Sequence, residues 1–356
     1  MKITLFIDSL CAGGAQRQLV GLAKLLKEKN QDISVLVYHK NEFYAKILKE
    51  NDIKYKYIEK AENKLTRIFH VINYLRNNKP DVLISYLSSP NIIACIAKLF
   101  IRNMKLIVSE RNTSQSLGKN ERIRFFLYRF ANIIVPNSFS QEKFICNNFP
   151  TLNNKIYTIT NFVDTDYFKP IEKKISNEYP LINSVGRITQ QKNILNYLYA
   201  LKLLVDKGYK FKAVWFGNTD DNDYQQKCIS LLNELCLQDF FEFRPATNDI
   251  LKEYQKSDIF CLPSNYEGFP NVICEAMCCG VPILCSDVCD NPQIVKNGVN
   301  GFLFNPNDVE MIASQISKMI DMSITNISVM GNCNRKESIE KFSKEAFVEK
   351  YLNIIL

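Results

Sequence analysis

The chain has 356 residues, of which 46% are hydrophobic and 23% charged, with 12 glycines and 12 prolines. This balance excludes a fibrous or intrinsically disordered chain, and the length suits two domains of about 100–200 residues each. The net charge of +8 is uneven, because residues 1–165 have an excess of 12 positive charges and residues 166–356 an excess of 4 negative ones. Such asymmetry indicates that the first half faces an anionic partner.

Short β-branched runs alternate with helix-period segments from the start of the chain. The pattern predicts a first helix at residues 15–29 and strands at 2–8, 32–38, 54–58, 81–86, 105–109, 132–136 and 155–160. The strands around residues 82–84 and 133–135 are almost continuously apolar, which indicates burial on both faces in a parallel sheet covered by helices. We therefore predict a doubly wound α/β domain over residues 1–165.

Residues 161–180 interrupt this pattern with two prolines and several charges, and we predict a linker there. Beyond it the pattern predicts strands at 181–186, 211–217, 240–243, 258–262 and 282–286, and helices at 194–207, 224–236, 250–256, 271–279 and 309–320. These elements predict a second α/β domain over residues 166–356, whose last helix could pack back on the first. Ligands bind at the carboxyl ends of strands in such sheets, so we expect two domains facing across a cleft.

The cysteines and the start of the chain bear on its location. The apolar run between Lys2 and Asp8 is too short for a signal peptide, so we expect a cytoplasmic protein without disulfides. No CxxC spacing is present, and the chain has two histidines, so a zinc site is not expected. The five cysteines between residues 274 and 289 are predicted to be buried core residues.

The segment PSNYEGFPNVICEAMCCG, residues 263–280, carries two glutamates at the start of a predicted helix. Glu267 lies before the helix and Glu275 about one turn inside it. N–H groups at a helix start suit phosphate oxygens, and a carboxylate suits the diol of a ribose. Spacing alone leaves an equally good alternative, in which Glu267 caps the helix and Glu275 is solvated.

Two other turns follow predicted strands. Arg187 and Lys192 lie in LINSVGRITQQKN, where two cations could neutralise a pyrophosphate and the charge that builds on it as a leaving group. Gly13 and Gly14 lie in SLCAGGA, where glycine permits close approach of backbone to a ligand. The alternatives are solvated side chains and a tight connection. The sequence GxGxxG is absent, which disfavours a dinucleotide cofactor.

The segment from Glu267 to Glu275, EGFPNVICE, resembles the EX7E motif of retaining glycosyltransferases of family 4, and the similarity continues through residues 291–308. The resemblance implies the GT-B fold of two Rossmann-like domains. It also implies that Glu275 binds the nucleotide ribose and that Glu267 lies near the anomeric carbon of the donor sugar. A proline replaces the family's usual glycine at 270, so the amides expected to meet the donor are those of Gly268, Phe269 and Asn271.

The resemblance also places Arg187 and Lys192 on the donor diphosphate, and it places the turn with Gly13 and Gly14 near the donor phosphate and the acceptor. Many family members have a histidine in the loop where this chain has SERN, residues 109–112. Three residues of that loop are therefore substrate-binding candidates with unassigned roles, namely Glu110, Arg111 and Asn112. A structural pair between the first two is an equally good interpretation.

The implied reaction is a retaining, metal-independent transfer of a hexosyl or N-acetylhexosaminyl unit from a nucleotide diphosphate sugar, with UDP as the expected nucleotide. The implied acceptor is a glycan or lipid-linked glycan in bacterial surface polysaccharide synthesis. No cofactor beyond this co-substrate is expected, although Asp220, Asp221 and Asp223 leave open a metal site or, alternatively, a helix cap. A GT-B epimerase or phosphorylase, or a non-catalytic sugar-binding protein, remain alternatives.

A basic and aromatic segment lies in the first half of the chain. Four cations surround a run of apolar residues in a predicted short helix, namely Lys119, Arg122, Arg124 and Arg129, and Lys98, Phe100 and Arg102 form a smaller group. This composition suits an anionic membrane surface, and an ordinary packing helix with a solvated face is the alternative. No nucleic-acid motif accompanies the charge, so a nucleic-acid partner is not expected.

Overall fold

The computed structural model describes residues 1–59, 63–111, 114, 116–172 and 177–356. The chain forms two compact units, one of Met1–Phe162 with Lys344–Leu356 and the other of Val163–Ser343. The change from the first unit to the second, between residues 162 and 163, falls inside the aperiodic segment 161–180.

The described part of the first unit contains a sheet of six parallel strands in the order β3-β2-β1-β4-β5-β6. The strands are β1 (Lys2–Phe6), β2 (Asp32–Val37), β3 (Lys54–Tyr57), β4 (Val82–Tyr86), β5 (Lys105–Glu110) and β6 (Ile133–Pro136). The helices are α1 (Gly14–Glu28), α2 (Ala45–Glu50), α3 (Lys64–Asn78), α4 (Ser88–Phe100), α5 (Lys119–Leu127) and α6 (Phe139–Asn148). The strand order reverses between β1 and β4, where ligands of doubly wound sheets bind.

Both faces of this sheet are covered by helices. The apolar positions of α1, among them Leu19, Leu22 and Leu26, are fully buried against one face, and α3, α4 and α5 cover the other. Because both faces are covered, β4 is buried at all five of its positions. This confirms the prediction of a parallel sheet buried on both sides.

The second unit repeats the arrangement, and its described residues form a six-stranded parallel sheet in the order β12-β11-β10-β7-β8-β9. The strands are β7 (Leu181–Val185), β8 (Lys212–Phe216), β9 (Phe241–Arg244), β10 (Ile259–Leu262), β11 (Ile283–Ser286) and β12 (Gly301–Phe304). The helices are α7 (Ile194–Asp206), α8 (Asn222–Glu234), α9 (Ile250–Lys256), α10 (Asn271–Cys278), α11 (Asn291–Ile294), α12 (Val309–Ile320) and α13 (Ile324–Phe342). Here the order reverses between β10 and β7.

The last helix, α14 (Lys344–Ile355), belongs to the first unit. Phe347, Val348 and Tyr351 on this helix join the same core as α1. None of the helices described for this chain is long and apolar enough to cross a membrane.

One predicted strand is not formed, and one strand of the structure was not predicted. The strand predicted at 155–160 is wrong, because Pro150–Lys155 forms a 3₁₀ helix and Ile156 makes a single bridge to Ile134. The strand β12 was not predicted, since it has four residues and begins with Gly301, which sequence patterns associate with turns. A Cβ on Gly301 would lie 2.2 Å from the carbonyl oxygen of Ile283, so β11 and β12 require glycine there.

Candidate functional site

The second unit brings Lys192 and Glu267 together where its strand order reverses. Lys192 lies in the loop after β7 and Glu267 in the loop after β10, and these two strands are neighbours. The Nζ atom of Lys192 lies 2.5 Å from Oε1 of Glu267, and the side chains are 12% and 9% exposed. The two residues therefore form a nearly buried ion pair.

The carboxylate of Glu267 is held mainly through one of its oxygens. The Oγ atom of Ser264 donates to Oε1 at 2.6 Å, so this oxygen accepts from both Ser264 and Lys192. Among the residues that the structure describes, none donates a hydrogen bond to Oε2. The backbone N–H of Glu267 donates to Sγ of Cys289 at 3.4 Å. One carboxylate oxygen is thus fixed by two donors, and the other keeps its capacity to accept hydrogen bonds.

The loops that carry Lys192 and Glu267 are also joined to each other. The backbone N–H of Asn265 donates to the carbonyl of Gln191 at 2.8 Å, and its side chain donates to that of Gln190 at 3.0 Å. The side chain of Gln191 donates to the carbonyl of Tyr266 at 2.8 Å. These bonds fix the 3₁₀ turn that precedes α7 against the loop after β10, so the ion pair has a defined geometry.

Two glycines permit close packing at the ends of β7 and β8, and one of them lies against the Lys192 side chain. A Cβ on Gly186 would lie 2.9 Å from Cε of Lys192, and a Cβ on Gly217 would lie 1.9 Å from the carbonyl oxygen of Gly186. That same carbonyl accepts a hydrogen bond from Nε1 of Trp215 at 2.8 Å. The ends of β7 and β8 therefore approach each other closely beneath the lysine stem.

Glu275 lies within α10 and is 6% exposed. The hydroxyl of Tyr254 donates to its Oε2 at 3.1 Å. The alternative in which Glu275 is a solvated helix residue is therefore wrong. The alternative in which Glu267 caps the helix is also wrong, because Pro270 occupies the N-cap position and no side chain caps this end.

The loop before α10 offers backbone N–H groups at two of the three predicted positions. Within the described ranges, the N–H groups of Gly268 and Phe269 donate to no acceptor. The N–H of Asn271 donates to the carbonyl of Phe269 at 3.0 Å and is already engaged.

Arg187 pairs with Asp220 and not with Glu267, the partner of Lys192. Its Nη1 lies 3.2 Å from Oδ2 of Asp220, with the two side chains 66% and 76% exposed, so water screens this pair. The neighbouring Asp221 accepts from the backbone N–H of Tyr224 at 3.0 Å and caps α8. The capping alternative is thus confirmed for Asp221. In the described parts of the chain, no three His, Cys, Asp or Glu side chains gather as a metal site.

In the first unit, the turn after β1 leads directly into α1, which begins at Gly14. A Cβ on Gly14 would meet nothing within 4 Å, whereas a Cβ on Gly13 would lie 2.3 Å from Oε1 of Gln16. The Gln16 side chain covers Gly13 and donates to Asp8 at 3.2 Å. Gly14 is therefore the open position of this turn, and the first turn of α1 contains no acidic residue.

Glu110 ends β5 and is 1% exposed. Its Oε1 lies 3.3 Å from Nε of Arg124 and accepts from Asn91 at 3.4 Å and from the hydroxyl of Tyr128. Burial raises the pKa of Glu110, an effect that the charge of Arg124 partly opposes. The residue faces the interior of the first unit and presents almost no surface to a ligand.

Arg111 makes different contacts, so the structural pair between Glu110 and Arg111 is not formed. Its Nη1 donates to Oδ1 of Asn161 at 2.7 Å, and Nη2 donates to the hydroxyls of Tyr86 and Tyr351 at 2.6 and 2.8 Å. The two residues contact different cores, since Tyr128 beside Glu110 belongs to the core that includes α3 and α4, and Tyr351 beside Arg111 belongs to the core that includes α1. The third candidate of this loop, Asn112, lies outside the described residues.

Sequence reasoning missed three residues that contact the two glutamates, namely Ser264, Tyr254 and Cys289. Ser264 lies three positions before Glu267 in the same loop, which is the one pattern that could have indicated it. Four of the five clustered cysteines are buried as predicted, whereas Cys289 is half-buried and contacts the Glu267 backbone.

Two family models match the chain side by side. The model described as Glycosyltransferase Family 4 matches residues 12–167, and the model described as Glycosyl transferases group 1 matches residues 168–344. A Campylobacter jejuni α-1,4-N-acetyl-D-galactosaminyltransferase is 24% identical over 100% of this chain and 98% of its own length. The Staphylococcus aureus capsular polysaccharide biosynthesis glycosyltransferase CapM is 25% identical over 93% of this chain and 91% of its own length.

Solved structures show the same fold. The structure of Anabaena HepE in complex with UDP superposes with a TM-score of 0.88 at 20% identity, covering 100% of this chain and 99% of that one. A Rickettsia africae glycosyltransferase gives 0.88 at 18% identity, covering 99% and 97%. The fold and the family models together define a glycosyltransferase of the GT-B fold. The chain belongs to glycosyltransferase family 4.

Proposed function

We propose that this protein is a retaining glycosyltransferase that moves a hexosyl or N-acetylhexosaminyl unit from a UDP-sugar to a glycan or lipid-linked glycan. The observation that carries the proposal is the Lys192 and Glu267 pair at the reversal of strand order, with Glu275 buried eight residues further on. The setting we propose is bacterial surface polysaccharide synthesis, which the names of the relatives support. The name of the Campylobacter relative gives its acceptor as a diNAcBac-PP-undecaprenol glycan, and HepE was crystallised with UDP.

Different residues of the second unit would bind different parts of the donor. Glu275 would accept from the ribose hydroxyls, the N–H groups of Gly268 and Phe269 would meet phosphate oxygens, and Glu267 would lie beside the donor sugar. In a retaining front-face displacement, the acceptor oxygen bonds to the anomeric carbon as the bond to the β-phosphate oxygen breaks. The acceptor proton passes to the leaving phosphate, and Lys192 and Arg187 offset the charge that builds there.

The proposed reaction uses no metal and no cofactor besides the nucleotide sugar. Two cations near the diphosphate would supply the charge that a metal supplies elsewhere. Two of the three acidic residues that could have formed a metal site have other partners, since Asp220 pairs with Arg187 and Asp221 caps α8. Turnover should therefore be the same with and without EDTA, and a loss that Mg²⁺ or Mn²⁺ restores would contradict this part of the proposal.

We also propose that the first unit docks on an anionic membrane surface at the cytoplasmic side. Four large apolar side chains on α4 and α5 are about half exposed, namely Leu99, Phe100, Ile123 and Phe126. Arg129 lies over the ring of Phe126 at 3.6 Å and Arg76 over that of Phe100 at 5.7 Å. Such pairs suit a lipid interface, where about 1 kcal/mol is gained per cation near the surface.

Two of the cations predicted for this surface do not belong to it. Lys98 donates to the carbonyls of Arg102 and Met104 at 2.8 and 2.5 Å, and Arg124 is buried beside Glu110. Residues 64–105 nevertheless carry seven Lys and Arg against one acid, Asp81. Flotation with anionic and neutral liposomes tests the docking: binding to anionic vesicles alone is expected, and absence of binding to both would refute it.

A screen of UDP-sugars tests the main proposal. The donor should raise the thermal stability of the protein, because a ligand that binds the native state stabilises it. Release of UDP from that donor should require Glu267, so Glu267→Ala should abolish it while Glu310→Ala, an exposed acid on α12, should not. Unchanged UDP release by a folded Glu267→Ala protein would refute the site.

A further inference from the structure

Ser264 is the one neutral side chain that donates to the Glu267 carboxylate among the residues that the structure describes. Its hydroxyl has a single proton, and with Oγ 2.6 Å from Oε1 of Glu267 that proton is used for this bond. Ser264 is completely buried, so water does not replace the bond if it is lost.

The position of Ser264 is itself fixed by two further buried side chains. The Oγ atom of Ser286 donates to the carbonyl of Ser264 at 2.6 Å, and the side chain of Asn291 donates to the carbonyl of Ser286 at 2.8 Å. Ser286 and Asn291 are both fully buried. A connected chain of hydrogen bonds thus leads from α11 through β11 to the loop after β10, and it ends on Glu267.

The second donor to the same oxygen, Lys192, is in a different situation. Under the proposed function its ammonium is shared with the donor diphosphate, whose charge competes with that of the Glu267 carboxylate. The electrostatic hold of Lys192 on Glu267 therefore weakens when the donor binds. The hydroxyl of Ser264 carries no charge and is not attracted away.

We propose that Ser264 is a positioning residue for sugar transfer, which holds Oε1 of Glu267 while Lys192 is engaged with the donor diphosphate. This inference rests on the proposed function of the site. With Oε1 held, Oε2 stays directed to the donor sugar. Loss of the Ser264 bond should then affect the chemical step more than donor binding, since Ser264 is fully buried and offers no surface to a donor.

The experiment compares Ser264→Ala and Ser264→Cys with the wild type, using the UDP-sugar that the donor screen selects. The cysteine variant fills the buried volume but is a weak donor, so it remains informative if the alanine variant does not fold. Ser338→Ala is the matched control, because Ser338 is a buried serine of the same unit whose Oγ donates to the carbonyl of Asn334 at 2.8 Å. The measurements are kcat, the donor KM and the Kd for UDP.

Both Ser264 variants should lose about tenfold or more in kcat, with the donor KM and the Kd for UDP within about threefold of wild type. This split between kcat and the two binding quantities distinguishes positioning from a general loss of structure. The Ser338→Ala protein should match wild type in all three measurements.

A folded Ser264 variant with wild-type kcat, or one whose donor KM rises as much as its kcat falls, would overturn the inference. If Glu267→Gln is inactive in the same assay, the proposed function stands and the role of Ser264 alone is refuted. If Glu267→Gln turns over like wild type, the proposed function and the inference fail together, because Ser264 acts through Glu267.

Discussion

The hydroxyl groups of Tyr86 and Tyr351 lie 2.8 Å apart, although 265 residues separate them in the sequence. Tyr86 ends β4 and Tyr351 lies on α14, and Arg111 donates to both hydroxyls. Both tyrosines are fully buried, and burial raises the pKa of Tyr86 well above its usual value. The last helix is therefore part of the first unit's core and joins the end of the chain to the loop after β5.

Substitution of Tyr351 should separate its packing from its hydrogen bonds. Tyr351→Ala removes a buried aromatic ring and should destabilise the first unit by about 3–5 kcal/mol. Tyr351→Phe keeps the ring but leaves Tyr86 and Arg111 with one partner fewer, at about 1–2 kcal/mol. Denaturant unfolding, with exposed Asn353→Ala as the control, measures both. Equal losses for the two variants would show that packing is not the main contribution.

The space around two glycines of α1 predicts opposite effects. Gly14→Ala places a methyl group where nothing lies within 4 Å, so the free energy of unfolding should stay within about 0.5 kcal/mol of wild type. UDP-sugar turnover should fall by about tenfold or more, because the methyl occupies space proposed for a ligand.

Gly21→Ala is the counterpart. Its Cβ would lie 2.3 Å from Cζ of Phe162, so it should destabilise the protein by about 1–3 kcal/mol through overpacking. Thermal unfolding and a turnover assay on both variants decide the matter. Wild-type turnover by Gly14→Ala would show that no ligand approaches this turn.

The contrast between these sites shows what the sequence could predict. The order of elements, and the positions of Glu267 before α10 and Glu275 within it, follow from local patterns. Strand periodicity and a helix start depend on residues that are close in sequence. The pairing of Glu110 with Arg124 does not, since it depends on how α5 packs beside β5. Their adjacency suggested Glu110 and Arg111 as partners, but β5 ends between them and their side chains contact different cores of the first unit.

The ion pair of Lys192 and Glu267 lies between these cases. The sequence placed both residues in loops at carboxyl ends of strands, and the strand order then made those strands neighbours. The hydrogen bond from Ser264 to Glu267 could not be predicted from the sequence, because it depends on the conformation of the loop after β10. A serine three residues before a glutamate has many possible partners in sequence, and only the fold selects one.

Burial of Glu110 predicts an unusual dependence of stability on pH. Because burial raises its pKa in the folded state, the folded protein binds more protons than the unfolded one at pH values just above the ordinary value of 4.5. The contribution of Glu110 to stability should therefore fall as pH rises from 4.5 through its folded-state pKa. This is opposite in sign to the effect of a carboxylate whose pKa is lowered by folding.

The Glu110→Gln variant isolates this contribution, because glutamine cannot ionise. Relative to this variant, the wild type should gain stability when the pH is lowered from 7 to 5, as measured by denaturant unfolding at each pH. Glu142→Gln, which changes a carboxylate near the surface of α6, is the control and should show no such gain. A difference between wild type and Glu110→Gln that does not change with pH would contradict the prediction.

Substitutions of Lys192 and Arg187 should differ in their effect on the free energy of unfolding but weaken the binding of UDP to the same extent. Lys192→Met leaves the nearly buried Glu267 without its cation. It should destabilise the second unit by about 3 kcal/mol, since breaking a buried ion pair leaves an uncompensated charge in the interior. Arg187→Ala removes an exposed pair with Asp220 and should leave the free energy of unfolding unchanged. Both variants should bind UDP about tenfold more weakly, because each loses a cation proposed for the diphosphate.

Calorimetric titration with UDP measures the affinity, and denaturant unfolding measures the free energy of unfolding, with Lys202→Ala on α7 as the control. Wild-type affinity for UDP in the Arg187→Ala protein would remove Arg187 from the proposed site and leave Lys192 as its cation.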